Sequence, residues 1–87
     1  MVVKRKFYAY MARCSDGSLY TGYTVDLNMR EEKHNEGKGA RYTRVRRPVK
    51  IVYSEGFETK SEAMKREYEI KGMEKKKKEG LIGGLGL

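Results

Sequence analysis

The chain has 87 residues, and 20 Lys+Arg against 12 Asp+Glu leave it a net charge of +8. A domain this short buries only about 60–65% of its unfolded surface, so it holds one thin core. Its 38% hydrophobic content, with seven Tyr and two Phe, is enough to exclude wholesale disorder.

The apolar runs are only a few residues long, which excludes a helical membrane span. The start, Met1-Val2-Val3-Lys4-Arg5-Lys6, has no apolar stretch after its charges and does not read as a signal peptide. The single Cys14 excludes a disulfide framework, and one thiol with one His argues against a zinc site. A reducing, cytoplasmic setting follows. The surplus of positive charge points to a polyanionic partner, with a solvated basic surface kept for solubility as the plainer alternative.

Phe7 to Arg13 is aromatic-rich and free of breakers, and reads as a strand. Cys14-Ser15-Asp16-Gly17-Ser18 is a turn, and Leu19 to Tyr23 a second strand, so the two form a hairpin. Thr24 is the expected cap of a helix running to about Asn35, which Gly37 and Gly39 end. A glycine- and arginine-rich loop spans 36–48, and Pro48 introduces a third strand from Val49 to Ser54. Thr59-Lys60-Ser61-Glu62 matches a capping box and opens a helix expected to run to Glu79. The order is ββαβα: an α+β fold in which a small sheet is covered by helices. Residues 1–80 read as one domain and 81–87 as a flexible Gly/Leu tail.

Three features look out of place. At about 100° per residue, Ala63, Met64, Tyr68, Ile70 and Met73 define an apolar arc on the second helix, and Glu67 falls inside it. A carboxylate turned inward needs a cation. Lys71, one turn on, is one candidate; Mg²⁺, held by one carboxylate with waters and phosphate oxygens, is the other. On the first helix, Arg30 and His34 share a face, although taken alone they are better explained by an exposed helix with His34 near its C-terminus.

The hairpin gathers Tyr8, Tyr10, Tyr20 and Tyr23, and its register decides which of them share a face. A two-residue Asp16-Gly17 turn would separate Tyr10 from Tyr20. A three-residue Ser15-Asp16-Gly17 loop with Gly17 left-handed pairs Ala12 with Tyr20 and Tyr10 with Gly22. It puts both phenols on one face, with open space beside Tyr10 at Gly22. The three-residue loop is the prediction.

Taken together, these motifs resemble the GIY-YIG nuclease family, closest to its small stand-alone prokaryotic members, from about Phe7 to Leu81. The first motif stands here as Tyr8-Ala9-Tyr10 and the second as Tyr20-Thr21-Gly22. Arg30 and His34 follow at the family's spacing. His34-Asn35-Glu36-Gly37-Lys38-Gly39-Ala40-Arg41-Tyr42-Thr43 is similar to the subgroup's central signature. Arg47-Pro48-Val49 and Glu62-Ala63 through Glu67 to Ile70-Lys71 resemble its third strand and last helix.

The resemblance implies a three-stranded antiparallel sheet flanked by helices. It also implies an endonuclease that hydrolyses phosphodiesters in nucleic acid, DNA first and RNA second, with a divalent metal, Mg²⁺ or Mn²⁺. Tyr10 and Tyr20 would activate or position the attacking water, and Arg30 would steady the phosphate. His34 would assist proton movement and Glu67 would hold the metal. The late asparagine that some members carry is missing, since no Asn follows Asn35.

Phosphodiester hydrolysis needs a deprotonated water and neutralised phosphate oxygens. Phenols titrate near 10, and neighbouring cations are expected to draw these two down. In the loop, Lys38, Arg41, Arg44, Arg46 and Arg47 suit phosphates, Tyr42 suits a nucleobase, and Gly37 and Gly39 allow close approach of a ligand. The Lys75-Lys76-Lys77-Lys78 run fits cations near a helix C-terminus. No small-molecule cofactor is expected, and the chain is read as a monomer or homodimer. The alternative function is a non-catalytic DNA- or RNA-binding module that keeps the nuclease fold.

Overall fold

The structure, a computed structural model, describes residues 6–84. The charged start at 1–5 and the end of the tail at 85–87 lie outside the described residues. Three strands, β1 (Phe7–Arg13), β2 (Leu19–Thr24) and β3 (Lys50–Phe57), form an antiparallel sheet in the order β2-β1-β3. Four helices accompany it: α1 (Leu27–Asn35), α2 (Arg41–Arg44), α3 (Lys60–Lys71) and α4 (Lys75–Ile82). This is the α+β, three-stranded architecture expected.

The hairpin takes the three-residue loop. Cys14 N–H donates to the Ser18 carbonyl at 2.9 Å, and Gly17 sits at φ +84°, in the region open to glycine. Tyr10 therefore pairs with Gly22 and Ala12 with Tyr20. On this face Tyr10, Ala12, Cys14 and Val49 form a core cluster, with Tyr20, Leu27 and Ile51 packed against it. The space expected at Gly22 is filled by the phenol itself, since a Cβ there would stand 2.6 Å from Tyr10 Oη. Ala9 and Met11, which point to the other face, are fully buried too.

Several boundaries differ from the sequence reading. Asp26, not Thr24, caps α1: its Oδ1 accepts from Met29 N–H at 3.0 Å, while Thr24 Oγ1 accepts from Asp26 N–H at 3.2 Å and shapes the turn. β3 begins at Lys50 and reaches Phe57, with a register shift opposite Met11/Ala12. The capping box forms as expected. The long second helix breaks at Gly72, and α4 starts again from an extended Glu74.

A bidentate pair explains the direction α4 takes. Arg13 Nη1 and Nη2 meet the Glu79 carboxylate at 2.7 and 2.6 Å, tying α4 to the end of β1. A straight helix of twenty residues would be about 30 Å long and would overshoot so small a sheet. The break places Lys75–Lys78 in the first turn of α4, the unfavourable end of the dipole, rather than at a C-terminus. Helix α4 also takes in Leu81 and Ile82, two residues of the tail read as flexible.

Candidate active site

The hairpin register puts Tyr10 and Tyr20 side by side, with ring centroids 6.4 Å apart. Helix α1 crosses this face and brings Arg30 and His34 from one turn to the next. His34, which an exposed helix would leave in water, is fully buried, and so is Tyr10. Tyr10 Oη stands 2.7 Å from His34 Nε2, and Arg30 Nε donates to the same oxygen at 3.2 Å. The second anchor of the guanidinium is Nη2 donating to the Gly39 carbonyl at 3.0 Å. The Tyr20 phenol acts on Arg30 too and, with Tyr10, favours its charged form.

Burial pushes the Tyr10 phenol above its ordinary value; the Arg30 hydrogen bond and charge oppose this, and Tyr20 and Glu67 add to it. The expected lowering counted a metal on Glu67 as well as Arg30; with Arg30 alone, burial outweighs the cation. Removing the phenolate from water costs more than one guanidinium returns. Burial, then Arg30, holds His34 below its ordinary value, so the imidazole is neutral. Tyr20 is only half-buried and is the phenol nearer to solvent.

Glu67 comes from α3, which packs on all three strands with Ala63 and Ile70 fully buried. The buried arc of α3 is narrower than expected, because Met64 is exposed and Tyr68 is 80% exposed. Glu67 remains on its edge, with a side chain 20% exposed and a charge felt at Tyr10. Its ion pair with Lys71, 3.4 Å away, is present. Lys71 is the more exposed member of that pair, so its loss to a cation bound at Glu67 would cost little. No three His, Cys, Asp or Glu converge among the described residues. Glu67 therefore offers one carboxylate, which suits a cation that keeps most of its waters, such as Mg²⁺, and not zinc.

The basic loop divides. Lys38, Arg41 and Arg44 are exposed and line a shallow groove of about 460 Å³ with Gly37, Gly39 and Ala40. Arg46 donates to Asp16 Oδ2 at 3.1 Å and to the Tyr42 carbonyl at 2.9 Å, and its guanidinium covers the Tyr42 ring at 3.9 Å. Tyr42 also stacks on Tyr20, centroids 6.2 Å apart. Arg47 donates to the Arg44 and Asn35 carbonyls at 2.9 and 3.2 Å.

Two positions have a role at His34 that the sequence did not suggest. Gly39 lies against the imidazole: a Cβ there would be 2.3 Å from His34 Nδ1. Its lack of a side chain thus seats His34. Thr43 is fully buried, with Oγ1 2.8 Å from His34 Nδ1. The spacing from Ala40 to Thr43, which lets a hydroxyl donate back to a carbonyl, is the signal that was there to find.

The GIY-YIG catalytic domain matches residues 6–80. The chain belongs to the GIY-YIG nuclease family. Among the relatives of this GIY-YIG protein, a UPF0213 protein of Staphylococcus aureus is 64% identical over 75 residues, 86% of this chain and 92% of that one. The solution structure of the UPF0213 protein BH0048 from Bacillus halodurans is 49% identical, covers 88% of this chain and 82% of its own, and superposes with a TM-score of 0.57. The protein EF2693 from E. faecalis, at 41% identity, covers 99% and 92% with a TM-score of 0.61. These small proteins share the fold, and the family acts on nucleic acid, generally with a divalent metal. Among the described residues, no helix is long and apolar enough to cross a membrane.

Proposed function

We propose that this GIY-YIG protein is a divalent-metal-dependent endonuclease that hydrolyses phosphodiester bonds, in DNA before RNA. One observation carries the reading. Arg13, Arg46 and Arg66 each meet a carboxylate, at 2.6, 3.1 and 2.9 Å. Arg30 is half-buried and is held by a phenol and a carbonyl, with no carboxylate partner among the described residues. A guanidinium withdrawn from water without a counter-charge is built to receive an anion, and its fork matches a phosphate.

The roles follow from position. Arg30 neutralises the phosphate as water attacks. Tyr20, the phenol nearer to solvent, orients that water. As the new P–O bond forms, a proton of the water passes to Tyr10 Oη while Tyr10 passes its own to the neutral His34. The bond to the departing sugar oxygen breaks, and that oxygen takes a proton from solvent. Glu67 would hold Mg²⁺ or Mn²⁺, which when bound supplies Lewis-acid charge to the phosphate oxygens.

Cleavage of branched, single-stranded and duplex DNA, and of RNA, with Mg²⁺ or Mn²⁺ tests this. Glu67→Ala is expected to lose cutting by about 10²–10³-fold while nucleic-acid binding survives. Unchanged cleavage in that variant removes Glu67 from the site, and no cleavage by the wild type on any substrate leaves the non-catalytic binding module as the function.

A further inference from the structure

The hydrogen bonds around His34 form one chain with a fixed donor at one end and a fixed acceptor at the other. At one end Arg30 Nε, which can only donate, reaches Tyr10 Oη at 3.2 Å. That leaves the Tyr10 hydrogen free to go to His34 Nε2 at 2.7 Å, with the direction fixed from the other end. At the other end Thr43 Oγ1 stands 3.1 Å from the Ala40 carbonyl oxygen, which can only accept. A hydroxyl has one hydrogen, and here it goes to Ala40. Toward His34 Nδ1, 2.8 Å away, the Thr43 oxygen can then only accept. The imidazole must carry its proton on Nδ1 and present a bare Nε2 to Tyr10.

We infer that Thr43 is a positioning residue of this site: its buried hydroxyl selects the Nδ1–H tautomer of His34 and so keeps Nε2 available as the acceptor of the Tyr10 proton. The assignment of a tautomer is a statement about the protein at rest; its catalytic consequence rests on the nuclease reading above. Free imidazole in water prefers the opposite tautomer, so the protein must supply the difference. Thr43 is the group placed to do so, because His34 is sealed from water and has no other partner at Nδ1 among the described residues. Gly39 complements it by leaving the ring in this seat, since any side chain there collides with Nδ1.

The test combines nitrogen NMR of the His34 ring with cleavage assays on the full chain. In the wild type, long-range proton–nitrogen correlation is expected to show a pyrrole-like Nδ1 and a pyridine-like Nε2. Thr43→Val keeps the shape and removes the acceptor; it is expected to shift the ring toward Nε2–H and to slow cleavage about 10–100-fold. Thr43→Ser restores the hydroxyl, and is expected to restore both the tautomer and the rate. A wild-type ring protonated on Nε2, or a Val variant that keeps Nδ1–H, overturns the inference. If the Val variant does not fold, the wild-type and Ser spectra still decide it. Absence of cleavage by the wild type would overturn the nuclease reading alone, because the tautomer is read without activity.

Discussion

Two tyrosine–arginine clusters on this small sheet have opposite electrostatics. On the β3–α3 side, Tyr53 donates to Glu55, Arg66 Nε meets the same carboxylate at 2.9 Å, and Arg66 Nη1 reaches Glu69 at 3.3 Å. Two carboxylates there enclose one guanidinium. On the β1–α1 side, Arg30 is held by a phenol and a carbonyl and feels a second phenol, and Glu67, whose charge is felt at Tyr10, pairs with Lys71. The first cluster is a strut that ties a strand to a helix. The second withholds the counter-charge, and a protein tolerates that where a ligand will bring it.

The sharpest way to break this contrast is to delete each arginine. Arg30→Ala is expected to lower cleavage about 10²–10³-fold with stability held or raised, because it removes an uncompensated charge. Arg66→Ala is expected to leave cleavage intact and to lower stability by about 1–2 kcal/mol, read by urea unfolding. The same outcome in both variants would erase the distinction.

Gly22→Ala tests how tightly the second cluster is packed. With a Cβ 2.6 Å from Tyr10 Oη, either strand or phenol must move. A stability loss of about 1–3 kcal/mol is expected, together with slower cleavage. A variant as stable and active as the wild type would show that the phenol is not wedged there.

Acidification should separate the clusters more gently. His34 titrates below its ordinary value of about 6.5 in the folded chain, so the unfolded chain binds a proton that the folded one refuses. Its contribution is full above about pH 6.5 and is lost as the pH falls below that value. Urea midpoints at about pH 7.5 and about pH 5.5 are expected to differ, and the difference to shrink in His34→Gln. The smallest effect concerns binding. Replacing Lys38, Arg41 and Arg44 by Ala should flatten the slope of log affinity against log salt by about 3, whereas replacing Arg46 and Arg47, already bonded within the protein, should change it less.

Much of this was legible from local chemistry. Asp16 and Gly17 specify a turn, the turn specifies the register, and the register alone puts Tyr10 opposite Gly22 and beside Tyr20. The Thr59–Glu62 capping box likewise depends on four neighbouring residues. What went astray depended on where distant segments meet. The break at Gly72 follows from Glu79 reaching Arg13, a contact 66 residues apart. The contacts of Arg46 with Asp16 and of Tyr42 with Tyr20 are likewise set by the fold and by no local motif.

The sequence by itself determined the α+β order and the hairpin register, because periodicity and turn chemistry act over a few positions, while Arg30 and His34 were joined to Tyr10 only through the family resemblance. Only the tertiary structure decided their electrical state. Whether a phenol is raised or lowered, an imidazole neutral or charged, a carboxylate inward or shared with Lys71, depends on how much water each has lost and which charges stand beside it. Those quantities belong to the packed molecule and are written at no single position of the chain.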